Sequence, residues 1–143
     1  MPFVKIWIHL VFGTKNRYPF LTKPVKTKVI NHILQNAKEK EIFLDTIDGY
    51  LEHLHCLLSL STNLSIAKTT NLIKGESSHW INQDKIVNGK FEWADEYYAV
   101  SVSESQVEKV REYIRNQEEH HKKKSYAEEC HEFIEKYGWK YLG

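Results

Sequence analysis

The chain has 143 residues, a formal net charge of +1 and 27% charged residues. Its 41% hydrophobic and 13% aromatic residues exclude a disordered tail, and no apolar run approaches the roughly 20 residues of a membrane-spanning helix. Two cysteines are too few for a disulfide scaffold and are typical of a reducing, cytoplasmic environment. We therefore expect a single cytoplasmic domain over residues 1–143 with a packed core.

Hydrophobic periodicity and turn signals divide the chain into strands and helices. The predicted elements, in chain order, are a strand (3–12), a helix (25–41), two strands (42–50 and 52–60), a helix (65–80), a strand (97–103), a helix (103–121) and a last helix (125–137). Ser103 and Gln106 form a predicted capping box for the long helix. Asn88-Gly89 predicts a hairpin turn, and Gly138 is expected to end the last helix. This order predicts a ferredoxin-like (split βαβ) α+β fold, with an antiparallel sheet, helices on one face and an added C-terminal helix.

Positive charge is concentrated near the start of the chain. Residues 1–38 carry seven Lys and Arg side chains and no Asp or Glu, whereas the remaining residues hold 13 basic and 19 acidic side chains. This asymmetry favours a cationic face that binds phosphate. Charge alone leaves the alternative of a solvated surface with chance clustering equally open.

The segment EHLHCLL contains two histidines on one predicted strand. Alternate side chains of a strand share a face, so His53 and His55 lie on one side and Leu54, Cys56 and Leu58 point into the core. The two imidazoles are about 6.6 Å apart along the strand, close enough to bind one metal ion. A His-x-His pair alone also occurs as ordinary surface histidines, so the pair needs a second signal.

That second signal lies on the helix after the fourth strand. Tyr113 and Gln117 are four residues apart and therefore neighbours on one helical face. A tyrosine can attack phosphate and form a covalent link, and a nearby metal ion stabilises the charge that develops. A lone tyrosine on an amphipathic helix is more often a packing residue, so the hypothesis depends on the combination.

The ordered motifs are HLHCLL, LIKGESSHWIN, EWADEYYAVSVS and YIRNQEEHH, preceded by the basic GTKNRYPFL. Together they resemble the HUH-type, single-tyrosine transposases of small insertion sequences and the related transposases associated with repetitive extragenic palindromes. The similarity covers nearly the whole chain. HUH denotes two histidines around one bulky apolar residue, here Leu54.

The resemblance implies a specific chemistry. His53, His55 and Gln117 would bind Mg²⁺ or Mn²⁺, and Tyr113 would cut single-stranded DNA to leave a 5′-phosphotyrosine and a free 3′-OH, which supports strand transfer. Members of this family act as homodimers and recognise DNA hairpins at the ends of the element. Because position 117 is Gln rather than a second tyrosine, one nucleophile per chain is expected.

Several further residues receive an expectation. Many family members have Asp where this chain has Glu52, whose longer side chain either orients a ligand or faces solvent. His120 and His121 are interpreted as cations at a helix C-terminus rather than ligands. The predicted contacts with DNA phosphates are Lys15, Arg17 and Lys74.

Two alternative functions remain open at this point. One is a domesticated or plasmid-type tyrosine nickase that uses the same site without transposing. The other is a non-catalytic, ferredoxin-like module that binds nucleic acid on exposed aromatic residues of its sheet.

Overall fold

The computed structural model of the chain describes residues 2–137. The strands are β1 (Trp7–Gly13), β2 (Phe43–Tyr50), β3 (His53–Ser59) and β4 (Tyr98–Val102). The helices are α1 (Lys23–Glu39), α2 (Ile66–Gln83), α3 (Val107–Arg115), α4 (Gln117–His121) and α5 (Tyr126–Tyr137), with short 3₁₀ turns at Lys15–Arg17 and Glu104–Gln106. None of the described helices is long and apolar enough to cross a membrane.

The four strands form one antiparallel sheet in the order β2-β3-β1-β4. This order and the helices around the sheet confirm the predicted ferredoxin-like α+β fold. Helices α1 and α2 cover one face, where Val29 and Ile73 join the core formed by Leu10, Leu54 and Cys56. Helices α3 and α5 cover the opposite face through separate apolar clusters. The two central strands are therefore buried on both faces.

Two predicted features differ in the structure. Strand β1 begins at Trp7 rather than at residue 3, because Phe3 is 93% exposed and regular pairing with β3 and β4 starts only at Trp7. Asn88-Gly89 does not join two strands, although Gly89 has the positive φ of a turn. The Asn82 side chain instead bonds both backbone groups of Phe91, at 2.8 and 2.9 Å, and so replaces the pairing of a hairpin.

The predicted long helix over 103–121 is interrupted. Asn116, with φ −98° and ψ 23°, separates α3 from α4. The predicted capping box is also wrong, because the Ser103 side chain makes no capping hydrogen bond and a 3₁₀ turn precedes α3. The last helix occupies Tyr126–Tyr137, close to the prediction, while Gly138 lies outside the described residues.

A β-bulge in β2 fixes the position of α3 against the sheet. The pairing of β2 with β3 shifts between Leu44 and Thr46, so the intervening Asp45 leaves the regular register. Its carboxylate accepts two hydrogen bonds from the Arg111 guanidinium, at 2.8 and 2.9 Å. This bidentate pair joins the edge strand to the helix that carries Tyr113.

The Asp45–Arg111 pair makes stability depend on pH. Hydrogen bonding to Arg111 holds the pKa of Asp45 below its usual value, against the opposing effect of burial. The stabilisation is therefore complete above the pKa of the unfolded chain, about 4, and is lost as pH falls through the lower pKa of the folded state. Asp45→Asn should lower the free energy of unfolding by about 1–2 kcal/mol at pH 7 and by much less at pH 3, as measured by urea denaturation. An equal loss at both pH values would contradict this reading of the pair.

Two glycines provide a matched test of packing near the histidine strand. A Cβ at Gly49 would lie 2.0 Å from the carbonyl oxygen of His53, whereas a Cβ at Gly75 in α2 would meet nothing within 4 Å. Gly49→Ala should lower the free energy of unfolding by about 1–3 kcal/mol or more, because the clash is with backbone. Gly75→Ala should raise it by about 0.5–1 kcal/mol, since alanine is favoured in helices. Thermal and urea unfolding of the two variants would reveal an error if their signs agreed.

Candidate active site and metal centre

The two histidines of β3 lie on the face covered by α3, α4 and α5, and both side chains are fully buried. In each ring, Nδ1 contacts a neighbouring side chain. His53 Nδ1 lies 2.8 Å from Glu52 Oε1, and His55 Nδ1 lies 2.8 Å from His9 Nε2. Such outer partners orient metal-binding imidazoles, so Glu52 takes the orienting role rather than facing solvent.

The pKa values of the two histidines are shifted in opposite directions. Burial lowers the pKa of His55 to about 4, so its ring is neutral at pH 7. Burial also acts to lower the pKa of His53, but hydrogen bonds to Glu129 and Glu52 outweigh it and raise that pKa. The Nε2 atoms of both rings face the same interior space and are the atoms available to a ligand.

Gln117 enters this space as the first residue of α4. Its side chain is fully buried, with Oε1 3.1 Å from His53 Nε2 and Nε2 donating to the Tyr113 carbonyl at 3.2 Å. The break at Asn116 does not remove it from the site, because backbone hydrogen bonds from Asn116 to Glu112 and from His120 to Asn116 join the two helices. The three residues expected to bind metal therefore converge.

Tyr113 projects from α3 toward the same cluster and is partly buried. Its ring lies 5.5 Å from that of His55, measured between centroids. Its hydroxyl donates a short hydrogen bond to Glu129 and lies 3.2 Å from His120 Nε2. Burial, and then the adjacent Glu129 carboxylate, raise the pKa of Tyr113 above its usual value. The nucleophile candidate and both histidines thus belong to one site within one chain.

Glu129 is the central residue that the sequence analysis did not identify. It lies on α5, is 1% exposed, and places Oε1 3.0 Å from His55 Nε2 and 3.3 Å from His53 Nε2. Burial would raise the pKa of Glu129, but hydrogen bonds from His121, His53 and His55 hold it well below the usual value. The carboxylate is therefore ionised and faces three imidazoles.

His121 also belongs to this cluster. Its side chain is buried, and its Nε2 lies 3.0 Å from Gln117 Oε1 and 3.4 Å from Glu129 Oε1. The sequence interpretation of His121 as only a helix-terminal cation is therefore wrong. His120, in contrast, is partly exposed and contacts Tyr113 and the outer oxygen of Glu129.

The aromatic ring of Tyr126, at the start of α5, covers one face of the His53 ring. Its ring stacks on His53 with centroids 4.1 Å apart and planes 6° apart. Gly13, at the end of β1, makes room for this ring, because a Cβ there would lie 2.8 Å from it. Any side chain at position 13 would move Tyr126 and, with it, the helix that carries Glu129.

Two sequence signals could have identified the missed residues. Tyr126, Glu129 and Phe133 recur at i, i+3 and i+7 in the predicted last helix, which places a carboxylate within an apolar stripe. His9 alternates with Trp7 and Val11 along β1, on the face that α3 and α5 cover. A charged or polar residue within a buried stripe is the informative exception.

The predicted DNA contacts lie apart from this cluster. Lys15 and Lys74 line one groove of about 820 Å³, and Arg17 follows Lys15 in the exposed turn after β1. Lys15 pairs with Glu92 at 2.9 Å, and Lys74 donates to the Ala94 carbonyl at 2.6 Å. Part of their hydrogen-bonding capacity is therefore used within the chain.

A second groove, of about 740 Å³, reaches the nucleophile candidate directly. Tyr113 and His120 form part of its wall, together with Lys109, Lys123 and Lys124. The sequence analysis assigned no role to these lysines. Glu112 and Glu119 line the same groove, and Lys124 pairs with Glu132, so the lysines exceed the acidic side chains by only one and supply local cationic contacts for a phosphate.

The donor set fits a divalent metal ion. Imidazole nitrogen and amide or carboxylate oxygen are suitable ligands for Mn²⁺ and related ions, and the Nε2 atoms of His53 and His55 both face the interior of the site. A grouping of His53, His55, His121 and Glu129 places one ligand atom of each residue within 4.8 Å of the others. Beside it stands a tyrosine hydroxyl, so the arrangement can support nucleophilic attack on a phosphate.

Comparison with known proteins identifies the family of the chain. Residues 3–117 match the family model described as IS200-like transposase. A search of curated proteins gave no significant match. A crystal structure of a protein assigned as a transposase from Deinococcus radiodurans R1 has a TM-score of 0.65 and 22% identity, covering 81% of this chain and 93% of that one.

A second solved structure, a REP-associated tyrosine transposase bound to a REP hairpin, has a TM-score of 0.63 and 15% identity, covering 85% of this chain and 72% of that one. At these identities the two structures establish a shared fold. The family match spans most of the chain, from β1 through Tyr113 to Gln117. This chain belongs to the IS200-like transposase family.

Proposed function

We propose that the protein is a metal-dependent transposase that cuts and rejoins single-stranded DNA through Tyr113. The observation that carries this proposal is the convergence of His53, His55 and Gln117 beside the Tyr113 hydroxyl within one chain. Membership of a transposase family supports the reaction class. The single domain over 1–143 would hold all the catalytic groups.

His53, His55 and Gln117 would hold Mg²⁺ or Mn²⁺ through two nitrogens and one oxygen. When bound, the ion would polarise the scissile phosphate and offset the charge that develops on it. Glu52 and His9 would keep the two rings in the orientation that presents Nε2, through their 2.8 Å contacts with Nδ1. These outer contacts predict which tautomer each histidine uses.

Tyr113 would supply the nucleophile. Its phenol oxygen would lose its proton and form a bond to phosphorus as the bond from phosphorus to the 3′ oxygen breaks, and the leaving 3′ oxygen would take up a proton to give a free 3′-OH. The product is a 5′-phosphotyrosine, whose energy is retained for rejoining. Attack by a 3′-OH from another strand reverses the exchange, so no ATP is consumed.

We further propose that the DNA partner carries hairpins. The REP-associated relative is bound to a REP hairpin, and this chain shares its fold. Lys109, Lys123 and Lys124 beside Tyr113 would guide the single strand, and the Lys15 and Lys74 groove would contact the folded portion. The homodimer expected from the family stays a prediction.

The nucleophile is tested by trapping the adduct. Purified protein with Mn²⁺ and single-stranded DNA that carries the hairpin from the element's end should give a covalent species on a denaturing gel. Tyr113→Phe should abolish it, and His55→Ala should reduce it by at least about 100-fold because a metal ligand is lost. EDTA should prevent its formation.

His131→Ala is the matched control, because His131 is 74% exposed on α5 and should leave the adduct unchanged. An adduct that persists in Tyr113→Phe would contradict the assignment of the nucleophile. Full activity of His55→Ala would contradict the metal site.

DNA contacts are tested by the salt dependence of binding. Lys15→Gln and Arg17→Gln should each weaken binding of the hairpin DNA and reduce the slope of log K against log salt by about 0.7 per lost phosphate contact. Lys28→Gln, on the exposed side of α1, removes the same charge from a residue that lines neither groove and should change neither quantity. Equal slopes for all three variants would exclude the basic turn after β1 from the interface.

A further inference from the structure

Two metal-ligating side chains reach the β3 histidines from the part of the chain beyond residue 117, where the family match ends. His121 comes from α4 and Glu129 from α5. Glu129 Oε1 lies 3.0, 3.3 and 3.4 Å from the Nε2 atoms of His55, His53 and His121. The carboxylate oxygen is thus surrounded by three imidazole nitrogens.

These spacings match those between the ligands of a small ion. Ligands bound tetrahedrally at about 2.0–2.1 Å are about 3.4 Å from one another. The three nitrogen-to-oxygen distances are within about 0.4 Å of this value, and one ligand atom from each of the four residues lies within 4.8 Å of the others. The four ligand atoms therefore already surround one small space, and closing the wider gaps among them would bring all four to one centre.

The hydrogen-bond partners of His53 and His121 give an independent argument for a bound cation. His53 Nδ1 faces the Glu52 carboxylate, and His121 Nδ1 faces the Lys124 carbonyl at 2.6 Å. Both partners only accept, so each Nδ1 carries a proton and the neutral ring has a bare lone pair at Nε2. These lone pairs point at the Glu129 carboxylate and at Gln117 Oε1, which also accept.

These lone pairs converge on one small space, since the His53 and His121 ring centroids are 4.5 Å apart. One divalent cation at the centre would bind every Nε2 lone pair and the carboxylate at once.

We propose that His53, His55, His121 and Glu129 form a four-coordinate site for a transition-metal ion of the Zn²⁺ class. The proposal rests on the metal-binding role already proposed for His53 and His55. It adds a ligand set in which protein atoms fill all four positions, whereas the set with Gln117 leaves positions open for DNA. Glu129 would bind the ion through Oε1, while its Oε2 accepts the hydrogen bond from the Tyr113 hydroxyl. Because protein atoms then occupy every ligand position, this ligand set belongs to the DNA-free protein.

The test is metal binding to the full chain without DNA. Metal-free protein titrated with Co²⁺ should bind one ion and show the intense visible absorption of tetrahedral Co²⁺, and Zn²⁺ should displace it. Glu129→Gln and His121→Ala should each weaken Zn²⁺ binding by at least about 10–100-fold and reduce the Co²⁺ absorption. Glu135→Gln and His131→Ala, both on the exposed side of α5, are the matched controls.

The rise in melting temperature on adding Zn²⁺ provides a second readout that reports on folding as well. It should be present in the wild type and both controls and be largely lost in Glu129→Gln and His121→Ala. Unchanged Zn²⁺ affinity in those two variants, with loss only in His55→Ala, would overturn this inference and leave the proposed function intact. Unchanged affinity in His55→Ala as well would overturn both.

Discussion

The buried carboxylate of Glu129 is the interaction on which the site depends. A carboxylate with 1% exposure is costly unless charged or polar partners surround it, and here His53, His55 and His121 do so. Removing any one partner would leave the others poorly compensated. The contact of Glu129 with the β3 histidines also packs α5 against β3. Covering this face of the sheet and assembling the site therefore occur together.

Much of the fold follows from local patterns. Alternation along β3 places the histidines opposite Leu54 and Cys56, and Pro24 begins the first helix close to where the structure has it. The predictions that fail are those in which a competing local hydrogen bond or turn replaces the expected one. The capping box does not form because a 3₁₀ turn precedes α3. The hairpin at Asn88-Gly89 does not form because the Asn82 side chain takes both backbone hydrogen bonds of Phe91.

The site was only half predictable because one of its central residues comes from a distant part of the sequence. Tyr113, Gln117 and the β3 histidines form motifs with fixed spacing, so a sequence can reveal them. Glu129 forms no such motif, because its role arises from the docking of α5 on a strand 70 residues earlier. Its position within an apolar helical stripe indicates burial, but periodicity alone does not identify the partner that compensates the charge.

The structure also bears on the alternative functions. A module that reads bases on an open sheet needs exposed aromatic residues, yet both faces of β1 and β3 are covered in residues 2–137. The nickase shares every catalytic group with the transposase, so geometry does not distinguish the two. They differ in the DNA that surrounds the gene.

The order of the elements along the chain has a consequence for biosynthesis. All four strands and the helix with Tyr113 leave the ribosome before His121 and Glu129. A nascent chain can therefore complete its sheet while the histidines of β3 are still open to water. Closure of the candidate metal site therefore follows formation of the sheet in the order of synthesis, and the β3 histidines stay accessible until α4 and α5 have emerged.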